Sequence, residues 1–133
     1  MNLNFSQSTG LITKDDGTSV AHGWAGNDSN PENPQRIHGK LNPDKQALHK
    51  IGPLPQGVYS VGPWEEKHGH LGAMVAPLTQ ISGETFGRDA FYIHGPDRDP
   101  ATYGQESLGC IVVPHAGRQA IKDLGPETVT VTA

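Results

Sequence analysis

At 133 residues, with a formal net charge of −4, the chain is long enough for one hydrophobic core and carries no basic field for nucleic acid or an anionic membrane. Its single cysteine excludes an intrachain disulfide, and no apolar run approaches the roughly 20 residues that a bilayer requires. Seventeen glycines and eleven prolines predict short strands joined by many turns. The N-terminal MNLNFSQSTG has neither the basic start nor the apolar segment of a secretory signal, which predicts a protein made in the cytoplasm without a signal peptide.

Residues 2–12 read as a short hairpin, with Leu3 and Phe5 alternating with polar neighbours and a turn at Thr9-Gly10. Lys14-Asp15-Asp16-Gly17 marks a second turn before a strand from Val20 to Trp24. Residues 25–43 are rich in Asn, Pro and Gly, which suits either a lid over a cleft or a solvated connector. Asp44 to His49 fits one or two helical turns. Pro53 and Pro55 should flank strands, because proline lacks the donor a central strand needs. Strands follow at Val58–Val61, at Leu71–Ile81 with a bulge expected at Pro77, at Phe91–His94 and at Ile111–Val113. His115 to Leu124 carries Ala120, Ile121 and Leu124 on one helical stripe and stops at Gly125-Pro126, before a last strand at Val129–Val131. The expected architecture is a mainly β single domain over residues 1–133 with one short C-terminal helix.

Chemistry concentrates between Phe91 and Pro114. Cys110 follows Gly109 and opens an apolar strand, while His94 ends the preceding one. A thiol is only slightly ionised at neutral pH, so a nucleophilic cysteine needs a base, and histidine is the usual one. Strand alternation sets Phe91 and Ile93 toward the core and Tyr92 and His94 toward a cleft. Two adjacent strands joined by the Asp97–Glu106 loop would bring their ends, and hence His94 and Cys110, together. Gly109 would leave room for an incoming carbonyl and free the N–H groups of Gly109 and Cys110 for an oxyanion. Ser107 would orient the histidine or the substrate. The plainer reading makes Cys110 a small buried hydrophobe beside Ile111 and His94 a strand-end histidine bonded to a carbonyl.

The run His-Gly, loop, Ser-x-Gly-Cys resembles the catalytic motif of the YkuD-type L,D-transpeptidase domain, and most closely its compact branch, the type VI secretion L,D-transpeptidase effectors. Further likeness lies in Phe5 to Gly10, Gly23-Trp24-Ala25-Gly26, Gly52 to Tyr59, and Gly109 to Pro114 with Arg118 and Ile121 following, so it spans roughly residues 3–122. The resemblance implies a YkuD-like fold of sandwich- or barrel-like sheets. It implies that Cys110 attacks a peptidoglycan stem tetrapeptide after its third residue, releasing D-Ala and leaving an acyl-thioester. His94 would take the thiol proton and return it to the leaving amine. Water would complete an L,D-carboxypeptidase reaction, and a D-amino acid such as D-Met an exchange. Leu108 and Val112 stand where many secreted members carry a histidine and an arginine, which separates this chain from their cross-linking acceptor site.

By the same resemblance Arg98 and Arg118 are candidates to bind substrate carboxylates, and Tyr92, on the His94 side of its strand, is a third candidate substrate contact. The implied protein acts in the periplasm of a target bacterium after secretion. Its implied partners are the secretion machinery and a periplasmic immunity protein, with no membrane insertion. A non-catalytic peptidoglycan-binding or secretion-docking module and a housekeeping cell-wall enzyme are the alternatives. His68-Gly69-His70, with Glu84, Asp97 and Asp99, has a metal-like look but no zinc-peptidase spacing such as H-E-x-x-H, so a solvent-facing loop is expected and neither metal nor cofactor. Trp24, Tyr59 and Trp64 are expected in the core or at its edge.

Overall fold

The computed structural model describes residues 1–99 and 101–133, with His70 described through its backbone alone. In chain order its strands are β1 (Asn2–Ser6), β2 (Leu11–Lys14), β3 (Ser19–His22), β4 (Gly57–Val61), β5 (Glu65–Lys67), β6 (Ala73–Gly83), β7 (Phe91–His94), β8 (Ile111–Val112) and, after helix α1 (His115–Leu124), β9 (Thr128–Thr132). All belong to one curled sheet, in the order β3-β2-β1-β9-β4-β6-β7-β8, with β5 paired to β6. The fold is mainly β with one C-terminal helix, as expected.

Period-two patterning decides how the ends of the chain meet. β1 buries Leu3 and Phe5, β9 buries Val129 and Val131, and the strands pair in parallel with Leu3 opposite Val129 and Phe5 opposite Val131. On the other side of β9, Tyr59 of β4 faces Val129. The Tyr59 ring meets Phe91 edge-on, with 6.1 Å between centroids, and its hydroxyl donates to the Pro55 carbonyl at 2.8 Å. Full burial of an aromatic ring contributes about 1.5–3 kcal/mol, and the same burial pushes the phenol up to about 12. Trp24 is buried and Trp64 packs partly buried against the core, so all three aromatics serve the core or its edge.

Several local expectations need correction. β5 was not foreseen, and the strand expected over Leu71–Ile81 begins at Ala73 and runs to Gly83. Its irregularity lies near Ile81, where Val58 pairs Ser82 and Tyr59 pairs Gln80. Pro77 instead keeps the regular register opposite Tyr92, and its carbonyl accepts from the Gly62 N–H at 3.0 Å. Segment 44–49 forms a 3-10 turn at Pro43–Lys45, with the Asn42 side chain accepting from the Asp44 N–H. Helix α1 ends at Gly125 in the left-handed region, φ 63°. The buried face of α1 is made by Arg118 and Ile121, with Leu124 partly buried and Ala120 less so.

Candidate active site

The site rests on the pairing of β7 with β8. The strands are neighbours, as expected, but they run parallel, with Ile93 opposite Ile111 and His94 opposite Val112. Parallel neighbours cannot be joined by a tight hairpin, so residues 95–110 make the long crossover. One register step back from Ile93–Ile111, Cys110 stands level with Tyr92, two positions short of His94. The strand ends therefore do not meet as expected. Period two still places Cys110, Tyr92 and His94 on one face, with the Cys110 and His94 backbones roughly 8 Å apart by strand spacing and rise.

The turn that carries Cys110 is held from beneath. The Ser107 hydroxyl donates to the Cys110 carbonyl at 2.6 Å and accepts from the N–H groups of Gly26 at 2.9 Å and Gly109 at 3.1 Å. Ser107 is completely buried and its hydroxyl bonds go to the turn and to Gly26, so it shapes the turn and none of these bonds is to His94. The Gly109 N–H is thereby occupied, which leaves the Cys110 N–H as the backbone donor at the thiol and halves the expected oxyanion pair. Gly109 has φ 131°, and a Cβ there would stand 2.5 Å from Nη2 of Arg88, so only glycine fits. Asn27, also fully buried, donates to the carbonyls of Ser107 and Lys50, both at 2.8 Å, tying the turn to the 25–50 segment.

Cys110 is half-buried, and its thiol donates to the Ala90 carbonyl at 3.8 Å. Burial pushes the thiol up to about 11, against the opposing pull of the Tyr92 N–H and the Arg88 charge. His94 is buried, and its Nδ1 lies 2.8 Å from the Gly95 carbonyl. A carbonyl can only accept, so Nδ1 carries the proton and the neutral ring keeps its Nε2 lone pair free. Burial lowers the His94 pKa; the Gly95 bond, Glu106 and Asp97 raise it, and Arg118 lowers it further. At neutral pH the site therefore rests as neutral thiol and neutral imidazole. The Gly95 carbonyl fixes the tautomer and the ring orientation, and the plainer expectation of a carbonyl-bonded histidine is compatible with a base.

Cys110, His94 and Tyr92 open into a cleft of about 940 Å³. Arg98 stands exposed on its rim, where Asp97, Glu106 and Glu32 also lie. Asn30 of the opposite wall donates to the Gln105 carbonyl at 2.9 Å, and Asn33, buried, bonds Asn27 and Ile37. The 25–43 segment is thus a hydrogen-bonded wall of the cleft, neither a detached lid nor a connector. A smaller hollow of about 390 Å³ between β6 and residues 85–92 shares Ala90 and Tyr92 with the cleft but holds neither Cys110 nor His94.

Two site features escaped the sequence. His68, expected in a solvent-facing loop, lines the cleft with its ring 4.7 Å from that of Tyr92 and Nδ1 2.9 Å from Glu65. A carboxylate three residues earlier was the only available signal. Of the other imagined ligands, Glu84 accepts from the Phe86 N–H and Asp99 from the Ala101 N–H, Asp97 lies on the rim of the same cleft, and the His70 side chain lies outside the described residues. Arg88, the second feature, is buried beneath the turn that carries Cys110, and nothing in the sequence around it announces this.

Arg118 is not a surface arm for a substrate carboxylate. It is buried, and its guanidinium donates to the carbonyls of Val113 at 3.0 Å, Ala73 at 2.6 Å and Met74 at 3.1 Å. A Cβ on Gly95 would lie 2.6 Å from its Nη2, so the guanidinium packs against the residue that orients His94.

This sheet and helix form the YkuD-like L,D-transpeptidase fold. Among solved structures, an L,D-transpeptidase from Mycobacterium tuberculosis H37Rv superposes with a TM-score of 0.56 at 15% identity, covering 99% of this chain and 57% of that one. An L,D-transpeptidase from Xylanimonas cellulosilytica gives 0.53 at 15%, covering 98% and 59%, and one from Mycobacterium smegmatis gives 0.54 at 12%, covering 99% and 58%. At such identities the likeness is one of fold, and the chain spans less than two thirds of each of these structures. No protein-family model matches the chain, and no curated protein does.

Proposed function

We propose that residues 1–133 act as one catalytic domain, a cysteine-dependent L,D-carboxypeptidase and D-amino-acid-exchange transpeptidase of peptidoglycan stem tetrapeptides. The observation that carries this is the shared face of Cys110 and His94 in one cleft, with His94 Nδ1 bonded to the Gly95 carbonyl and Nε2 free. In the proposed reaction Sγ attacks the carbonyl of the third residue while its proton passes to His94 Nε2. The C–N bond to D-Ala then breaks, His94 returns the proton to the leaving amine, and an acyl-thioester on Cys110 remains. Water or the amine of a D-amino acid attacks the thioester and gives a proton to His94; the C–S bond breaks and His94 returns that proton to Sγ, restoring the thiol. Tyr92 and Arg98, which line the same cleft, would touch the bound peptide.

The test incubates reduced protein with tetrapeptide muropeptides, with and without D-Met, and reads products by mass spectrometry. Tripeptide and the D-Met-exchanged tetrapeptide are expected. If neither forms, the enzymatic reading fails and a binding or docking module remains.

The resemblance over residues 3–122 also supports an antibacterial effector, delivered by a secretion machine into the periplasm of a target cell and countered by a periplasmic immunity protein. Production of the chain in the periplasm of a test bacterium is expected to stop growth, whereas cytoplasmic production should not. Equal growth in both compartments would contradict delivery as the source of toxicity.

A further inference from the structure

Arg88 is a buried cation with no carboxylate in ion-pair range among the described residues. All its hydrogen bonds go to backbone carbonyls: Nη1 to Gln46 and, at 2.9 Å, to Pro53; Nη2 to Gly52 at 2.9 Å and to Leu108 at 3.1 Å. Joining distant carbonyls does not require a charge. Asn27 does the same for Ser107 and Lys50 with a neutral amide. Burying an unpaired charge is costly, so the charge itself calls for an explanation.

Its position supplies one. The guanidinium fills the space where a Gly109 side chain would stand, against the peptide that precedes Cys110, and its face lies 5.6 Å from the Phe91 ring. It thus sits on the core side of the turn whose cleft side carries Sγ. Arg118 is the other buried cation near the site, but it packs against Gly95 on the His94 side, not behind Gly109; no other titratable group lining the cleft holds a fixed positive charge at Sγ. β7 turns Tyr92 and His94 to the cleft, and burial lowers the His94 pKa and so disfavours its charged form. Glu32, Asp97 and Glu106 add negative charge to the walls, while Arg98 is exposed to screening solvent and His68 is paired to Glu65. Burial draws the Arg88 pKa down to about 10, still far enough above neutrality to keep it charged.

We propose that Arg88 is the fixed counter-charge of the nucleophile, a positioning residue that favours the thiolate of Cys110 from behind Gly109 while its fork holds the turn. When Sγ yields its proton to His94 Nε2, the new thiolate gives the buried guanidinium an anion to face. This deepens the proposed function and rests on Cys110 being its nucleophile, yet it is testable without any peptidoglycan.

The test compares Arg88→Lys, which keeps the charge, with Arg88→Gln, which keeps amide donors but no charge. Folding is first confirmed by a cooperative melt. Each reduced protein is then alkylated with iodoacetamide at pH 8, a reaction that reads the thiolate fraction. Wild-type rates should rise about tenfold per pH unit between pH 7 and 9, because the thiol titrates above that range. Arg88→Gln should react about tenfold more slowly than wild type, equivalent to an upward shift on the order of one pH unit, and Arg88→Lys should stay within about threefold. An unchanged Gln variant, or a Lys variant slowed as much as Gln, overturns the proposal. If only one variant folds, it still decides: tenfold slowing of Lys, or none of Gln, is contrary. Loss of the muropeptide reaction with these rates as expected would instead sink only the enzymatic reading.

Discussion

Cys110→Ala is expected to reduce tripeptide formation from tetrapeptide to background, a loss of about 10³-fold or more, with the melting temperature nearly unchanged. No other thiol exists in the chain, so no residue can take over the acyl group. His94→Gln should lose about 10²- to 10⁴-fold, the range for removing a general acid–base. The Gln amide can still meet the Gly95 carbonyl but cannot accept and return a proton. The pH dependence has a definite sign. Burial lowers the His94 pKa, so the free base that the reaction needs persists below the ordinary histidine value of about 6.5 and fails only as pH falls through the lowered one. Activity should hold near pH 6.5 and decline on the acid side. A decline beginning well above that value would mean that imidazolium is favoured in the site. Product analysis by mass spectrometry across pH 5–8 checks each point.

The second large effect is structural. Arg118→Met removes the donors that satisfy the carbonyls of Val113, Ala73 and Met74. The Val113 bond is buried, whereas those to Ala73 and Met74 are part-buried and their carbonyls can recover water; a buried acceptor left without a partner costs about 1–3 kcal/mol, so a loss of about 2 kcal/mol is expected, against the roughly 5–15 kcal/mol that holds a domain folded. For a chain of this size the melting temperature should fall on the order of 10 °C. Had Arg118 served as a carboxylate clamp, the same substitution would raise KM and spare stability. Thermal denaturation beside the kinetics of tripeptide formation separates the two, and an unchanged melt with raised KM would restore the clamp.

The chemistry was more legible in the sequence than its supports. Ser-x-Gly-Cys and His-Gly are contiguous signals, and period-two alternation set His94 on the cleft side because four residues suffice to define a strand's faces. The direction of β8 was not legible, since a sixteen-residue separation permits either orientation, and parallel pairing is what offsets Cys110 from His94. Arg88 and Arg118 were also out of reach. Their burial depends on carbonyls contributed by segments tens of residues away, so no local pattern distinguishes them from surface cations such as Arg98. The engagement of the Gly109 N–H was not legible for a similar reason. Gly109 does allow close approach, but toward Arg88, and its N–H is taken by a serine two residues earlier. His68 reached the cleft because β5 pairs with β6 beside Tyr92, a pairing that three residues, Glu65–Lys67, were too short to announce.

The central claim is that Cys110 carries the acyl group of the substrate. Brief incubation of the reduced protein with tetrapeptide, acid quench and intact-protein mass spectrometry test it most directly. The expected result is a mass increase equal to the tetrapeptide less its terminal D-Ala, mapped to Cys110, sensitive to hydroxylamine and absent from Cys110→Ala. Turnover of tetrapeptide to tripeptide by Cys110→Ala at the wild-type rate, with no adduct on either protein, would contradict it.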